Sequence, residues 1–143
     1  MNKNGVVIGL DVGERRVGVA RGDHEVCIAT PLTPLVNDAT VFTEISQLAK
    51  ETGAETIVIG LPRDAEGRET AQSAVSRDFA VKLSKAVPTQ IVFQDESLTS
   101  MVAEQNLRSR KGFQEQMLRD GTLDCEAAAI ILTDYLEGNR NGA

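Results

Sequence analysis

The sequence predicts an α/β domain built on a mixed five-stranded sheet, three antiparallel strands followed by two parallel ones, with helices on both faces. Short β-branched apolar runs crowd the first thirty residues with only tight turns between them. A continuous apolar run stands at residues 56–61, and segments of helical periodicity separate it from the runs on either side. Strands joined by short turns pair antiparallel, whereas strands joined through a helix run parallel.

The elements follow in order. Residues 6–10 (VVIGL) form a short apolar strand closed by Asp11. The turn Val12-Gly13-Glu14-Arg15 leads into a second strand at 16–20, completing a hairpin. A third strand is expected at 26–29, stopped by Pro31 and Pro34 because proline donates nothing to a ladder. Over 39–52 the spacing of Val41, Ile45, Leu48 and Ala49 predicts an amphipathic helix, with Asn37 or Asp38 available as a cap and Gly53 to close it. Residues 56–61 (TIVIGL) are apolar throughout, as a strand covered on both faces should be. After the loop PRDAEGR, Ala71, Ala74, Val75, Phe79 and Leu83 mark the inward face of a second helix over 69–85, and 90–93 (QIVF) is the fifth strand. Thr99 or Ser100 can cap a third helix toward Leu107, and Asp124 opens a last one ending near Leu136.

At 143 residues the chain is one domain, expected over 1–137 with a frayed tail over 138–143, and too short for two lobes around a cleft. The single histidine, His24, excludes a multi-histidine zinc site and makes serine–histidine chemistry improbable. Cys27 and Cys125 lie far apart and form no redox motif. No apolar stretch approaches the ~20 residues that cross a bilayer, and no signal-peptide core is present, so a cytoplasmic protein with no membrane partner is expected. Twenty-one acidic residues against fifteen Lys and Arg give a net charge of −6, which argues against a bulk nucleic-acid binder but not against a local site.

Asp11 ends the first strand, Asp95 and Glu96 follow the fifth, and Asp124 starts the last helix. In open sheets, sites form beyond the carboxyl ends of parallel strands, so Asp11 and Asp95-Glu96 should share a crevice. Asp124 is a natural cap, yet Asp124, Ala128, Ile131 and Tyr135 share one helix face, and the neighbouring stripe must pack inward. Converging carboxylates repel unless a cation offsets them, and oxygen donors without His or Cys favour Mg²⁺ or Mn²⁺. Such ions hydrolyse phosphodiesters without a histidine.

Five segments then share a family likeness: GLDVGERRVGVA at 9–20, ATPL at 29–32, IVIGLPRDAEG at 57–67, DESLTS at 95–100 and LDCEAAAIILTDYL at 123–136. Together, in this order, they make the chain resemble the YqgF/RuvX family of Holliday-junction-resolvase-like proteins, also regarded as nucleases of pre-16S rRNA. The resemblance implies an RNase H-like fold, with Asp11, Glu96 and Asp124 as catalytic and metal-binding acids and Asp95 beside them as a fourth metal candidate. It implies a Mg²⁺-dependent endonuclease of the two-metal-ion type, trimming the 5′ end of pre-16S rRNA in ribosome biogenesis, with pre-rRNA or branched DNA and the ribosome as partners. A Holliday-junction resolvase and a non-catalytic RNA-binding assembly factor are the alternatives, and the protein is expected as a monomer or weak homodimer.

Two departures from the family pattern remove positive charge: Ser97 stands where the family carries Arg, and Leu118-Arg119-Asp120-Gly121-Thr122 replaces a basic run. Arg15, Arg16, Arg63, Arg68, Arg108, Arg110 and Lys111 remain as candidate nucleic-acid contacts, the last three opening a Gly-containing stretch that could act as a flap. Gly60, at a strand end, would allow a phosphate backbone to approach. The Asp11-Val12-Gly13 turn also resembles the phosphate loop of actin-like ATPases, but those enzymes clamp nucleotide between two such domains and this chain supplies one.

Overall fold

A computed structural model describes residues 5–97 and 99–142, without the side chains of 140–142. Its strands are β1 (Val6–Val12), β2 (Arg16–Asp23), β3 (Ala29–Pro31), β4 (Leu35–Val36), β5 (Thr56–Pro62) and β6 (Gln90–Glu96). The helices are α1 (Val41–Thr52), α2 (Ala71–Ser84), α3 (Thr99–Arg108) and α4 (Thr122–Gly142), with a 3-10 turn at Glu115–Leu118. Strand order is β3-β2-β1-β5-β6, with β4 also paired to β2. The β1–β2 and β2–β3 pairs are antiparallel, and β1–β5 and β5–β6 are parallel. This is the expected mixed sheet, extended by a sixth strand of two residues. No helix among the described residues is long and apolar enough to cross a membrane.

Alternation divides the sheet cleanly. Ile8, Leu10, Val12, Val17, Val19, Ile57 and Ile59 face α1 and α2, where Ile45, Phe79 and Leu83 complete a buried cluster. The intervening residues Val7, Ala20 and Val58 face α4, packing on Ala128, Ile131, Leu132 and Leu136. On that face the sheet is nearly bald. A Cβ at Gly9 would come within 2.9 Å of Leu132 Cβ, and one at Gly60 within 2.4 Å of Ile131 Cδ1, so α4 lies directly on the backbone of β1 and β5. Gly60 serves helix packing rather than phosphate approach.

Three sequence expectations shift. The third strand runs over Ala29–Pro31 instead of 26–29, because Cys27 adopts a left-handed φ of 53° and turns the chain, leaving Val26 and Ile28 exposed. Pro31 belongs to this strand, as an edge position tolerates a missing N–H. In α2 the buried residues are Ser73, Ser76, Phe79, Ala80 and Leu83, while Ala71, Ala74 and Val75 are exposed. The Ser73 hydroxyl donates to the Pro62 carbonyl and closes a capping box with Thr70, so serine is buried at the expense of Val75. The last helix also continues through 138–142, where a frayed tail was expected, Ala143 lying outside the described residues.

Gly53 closes α1 with a left-handed φ of 71°, as expected. Asn37 does not cap that helix: its Nδ2 donates to the Gly13 carbonyl at 2.7 Å and ties the β1–β2 turn to the segment after β4.

Candidate metal centre and active site

Because β1, β5 and β6 run parallel, their carboxyl ends open on one edge of the sheet. Leu10 pairs with Ile59 and Gly60 with Gln94, so extending the register by one residue sets Asp11 level with Gly60. Glu96 pairs with Pro62, two residues further along and two strands away. That offset is roughly 6–7 Å along the strands and about 10 Å across them. A cavity of about 330 Å³ fills the interval, lined by Asp11, Gly60, Arg63, Gln72, Glu96 and Thr99 among others.

Asp11 points to the α4 face and meets the first turn of that helix, where Asp124 stands. Burial first, and then the neighbouring Asp124 charge, together push the Asp11 carboxyl up to about 7. Asp124 is also raised by its own burial, with Arg16 opposing the rise. Arg16 donates from Nη1 to the Arg119 carbonyl at 3.0 Å and lies against Gly121, so it braces the loop that delivers Asp124. Close approach of this helix end depends on Gly18, whose Cβ would stand 1.9 Å from the Asp124 carbonyl oxygen.

Glu96 shares the cavity with Asp11 but is engaged elsewhere. Its Oε1 accepts from Thr99 Oγ1 at 2.5 Å, and its carboxyl meets that of Asp134, further along α4. Burial, then the Asp134 contact, push Glu96 up to about 8, while Thr99 works in the opposite direction. Among the described residues, no three Asp, Glu, His or Cys side chains stand close enough together to hold a metal ion. Asp11 and Asp124 form a pair, and Glu96 faces them across the cavity.

Asp95 is not brought to this group, correcting its placement as a fourth metal candidate. Successive strand residues alternate, so Asp95 faces the α2 side, largely exposed, and accepts from Arg63 Nε at 3.2 Å and Nη2 at 3.1 Å. Arg63 also approaches Glu69 at 3.8 Å and donates to the Gly67 carbonyl. It lines both the central cavity and a second one bounded by Asp64, Gly67 and Asp95.

The remaining basic candidates differ in kind. Arg68 pairs with Asp64 and Glu66, and Arg108 with Glu104 and Glu115, all on the surface. Arg110 makes a two-point ion pair with Glu126, Nε to Oε2 at 2.6 Å and Nη2 to Oε1 at 3.1 Å, and Glu126 is buried in the first turns of α4. Arg110, one of the candidate nucleic-acid contacts, is engaged here as a pin for the segment between α3 and α4. Arg15 and Lys111 are exposed and form no ion pair among the described residues.

Gln72 was missed by the sequence reading. Its Nε2 donates to the Val12 carbonyl at 2.7 Å and fixes the start of α2 against the end of β1 at the cavity wall. Asp134 was missed as well, because ten residues separate it from Asp124 and only the fold brings it to Glu96.

The RuvX family, described as Holliday junction resolvase, matches residues 5–138. This chain belongs to the RuvX family. A relative from Chloroflexus aggregans named "Putative pre-16S rRNA nuclease" is 39% identical over 137 residues, covering 94% of this chain and 95% of that one. A relative of the same name from Gloeothece citriformis is 35% identical over 143 residues, covering 99% and 93%. Among solved structures, Thermus thermophilus RuvC in complex with a Holliday junction substrate superposes with a TM-score of 0.55 at 15% identity, covering 96% of each chain. The fowlpox virus Holliday junction resolvase gives 0.55 at 10% identity, covering 93% and 99%. At such identities the likeness concerns the fold, and it places this RuvX chain in the RNase H-like class.

The donor set of this RuvX chain fits a hard divalent cation in part. Asp11 and Asp124 supply carboxylate oxygens whose mutual repulsion a cation would relieve; among the described residues no histidine or cysteine lines the cavity, and burial pushes the nearby Cys125 thiol up, which favours its protonated form. Glu96 lines the same cavity and is the third carboxylate available to such a cation, which would have to draw it from Thr99 and Asp134.

Proposed function

We propose that this RuvX chain is a Mg²⁺- or Mn²⁺-dependent endonuclease of structured nucleic acid, with the 5′ region of pre-16S rRNA as its substrate. Asp11 and Asp124 would hold the cation, with Glu96 as the third ligand. One observation carries the reading: Asp11 is a half-buried carboxyl at the carboxyl end of a parallel strand, lining the cavity and facing a second carboxyl, with its proton retained up to about 7. Such a pair is costly to keep ionised without a cation, and perturbed carboxyls in a cavity mark functional sites. When bound, one or two divalent ions would supply the positive charge that keeps the carboxylates ionised and stabilises the charge developing on a phosphodiester.

The protein's own side chains would do the rest. Arg16 holds the Asp124 loop in place, and Gln72 fixes the cavity wall behind Asp11. Arg63 stands at the rim, held by the exposed Asp95 and free to exchange that partner for a phosphate oxygen. Arg15 and Lys111, exposed and without an ion-pair partner among the described residues, add positive charge for the backbone of a substrate. The relatives' names point to pre-16S rRNA, and the Holliday-junction enzymes of similar fold make branched DNA the second substrate to assay.

The deciding experiment incubates end-labelled 16S rRNA precursor and a four-way DNA junction with the protein, with and without Mg²⁺, alongside Asp11→Asn and Asp124→Asn. Mg²⁺-dependent cleavage lost in both variants, with unchanged circular dichroism, supports the reading. Retention of substrate without product in Mg²⁺ and in Mn²⁺ would replace it with a non-catalytic RNA-binding factor.

A further inference from the structure

Away from the acidic cavity, a groove of about 630 Å³ runs between α1 and the edge of the sheet, walled by Leu32 and Leu35 on one side and Leu48 on the other. All three are only partly buried, packed against the core from outside. On α1, Glu44, Gln47, Leu48 and Glu51 follow the i, i+3, i+4, i+7 spacing of one helix face, so an apolar floor carries an acidic rim. Several carboxylates elsewhere, Asp64, Glu69 and Asp78 among them, have an arginine or lysine partner. Glu44 and Glu51 have none among the described residues: Glu44 accepts from Thr40 Oγ1 and Glu51 from Gln47 Nε2.

We propose that this groove docks an amphipathic helix of a protein partner, with leucine-like side chains on Leu32, Leu35 and Leu48 and lysine or arginine on Glu44 and Glu51. A helix fits better than an added strand. Pro31 and Pro34 remove two N–H donors from this edge, and β3 and β4 are three and two residues long, so the edge offers little ladder for β-augmentation. The face of α1 instead provides the ridge that a second helix lays against, with Leu48 as its apolar anchor and Leu32 and Leu35 as those across the groove. Charge complementarity sets the sign, since an acidic partner would meet the unpaired Glu44 and Glu51 head on. The surface is independent of the nuclease chemistry, which opens at the carboxyl ends of β1, β5 and β6.

Three synthetic peptides test it against the full chain by amide chemical-shift mapping and calorimetry: an amphipathic Leu/Lys helix, the same pattern in Leu/Glu, and a Leu/Lys peptide of equal composition with the pattern scrambled. The Leu/Lys helix should bind saturably with shifts centred on residues 32–51, and the other two should not. Glu44→Lys combined with Glu51→Lys, both on exposed positions, should weaken binding about 10-fold. Leu48→Ser should weaken it similarly, with a thermal melt to show that the fold persists. Equal binding of the scrambled peptide, shifts centred on Asp11 and Asp124, or affinity unchanged by the charge reversal would overturn the proposal. So would concentration-dependent shifts of the same residues without peptide, which would assign the groove to a second copy of this chain.

Discussion

Gly18 lies directly beneath the peptide carbonyl of Asp124: a Cβ on Gly18 would stand 1.9 Å from that oxygen and 2.8 Å from the Cys125 nitrogen. Both obstacles are backbone, so no side chain can move aside. Gly18→Ala must therefore lift the start of α4 off β2, taking Asp124 away from Asp11. We expect a loss of stability of about 2–3 kcal/mol by urea titration. We also expect cleavage to fall at least 100-fold, although neither acid has been changed. Near-normal cleavage by a folded Gly18→Ala protein would show that the Asp11–Asp124 spacing is not what the chemistry requires.

The raised Asp11 and Glu96 carboxyls reverse the usual acid sensitivity of a protein. In the unfolded chain both lose their protons near pH 4, while the folded protein keeps them until about 7 and about 8. Between those limits the folded state binds more protons, so stability contributed by these groups is greatest below pH 4 and falls as pH rises toward 8. The metal-free protein should melt at a lower temperature at pH 8 than at pH 5.5. Asp11→Asn should recover about 1–3 kcal/mol at pH 8 and nothing at acid pH. Added Mg²⁺ should flatten the wild-type dependence, and a melting temperature that rises from pH 5.5 to 8 without metal would contradict the placement of Asp11.

Arg110 and Lys111 are neighbours with opposite expected effects. Arg110 neutralises the buried Glu126 through two hydrogen bonds, so Arg110→Ala leaves an uncompensated charge in the interior and should cost about 3 kcal/mol. Arg110→Met together with Glu126→Leu should restore most of that loss. Lys111→Ala removes an exposed charge without an ion-pair partner among the described residues and should leave stability within about 0.5 kcal/mol of wild type. It should instead reduce the salt dependence of nucleic-acid binding by about one unit of slope. Denaturant titration and binding isotherms at several salt concentrations separate the two.

Hydrophobic patterning, with the length of the connections between apolar runs, made much of this legible in the sequence. It delivered β1, β2, β5 and β6 and their parallel or antiparallel sense, and hence the common edge at which Asp11 and Glu96 emerge. It failed where burial is not hydrophobic. Ser73 and Ser76 are buried in α2 because hydroxyls can satisfy nearby backbone, as Ser73 does at Pro62, so an apolar stripe through Val75 pointed to the wrong face. The turn at Cys27 rests on a left-handed backbone that composition does not signal. Pairings across long sequence separations, Arg110 with Glu126 and Glu96 with Asp134, depend on how α3 and α4 pack and leave no periodic trace.

Asp95 and Glu96 test the alternation at the site itself, because one peptide unit separates two carboxylates on opposite faces of β6. Asp95 touches Arg63 and lies outside the cavity that Asp11 lines, so Asp95→Asn should leave the Mg²⁺ concentration for half-maximal cleavage unchanged. Its effect should fall on substrate binding through Arg63, a change in KM of a few-fold with kcat retained. Glu96→Gln removes the only carboxylate that can reach the cavity from β6, so it should lower kcat at least 100-fold and raise the Mg²⁺ requirement. Equal losses of kcat in the two variants would mean that both carboxylates reach the reacting centre, which a regular β6 cannot provide.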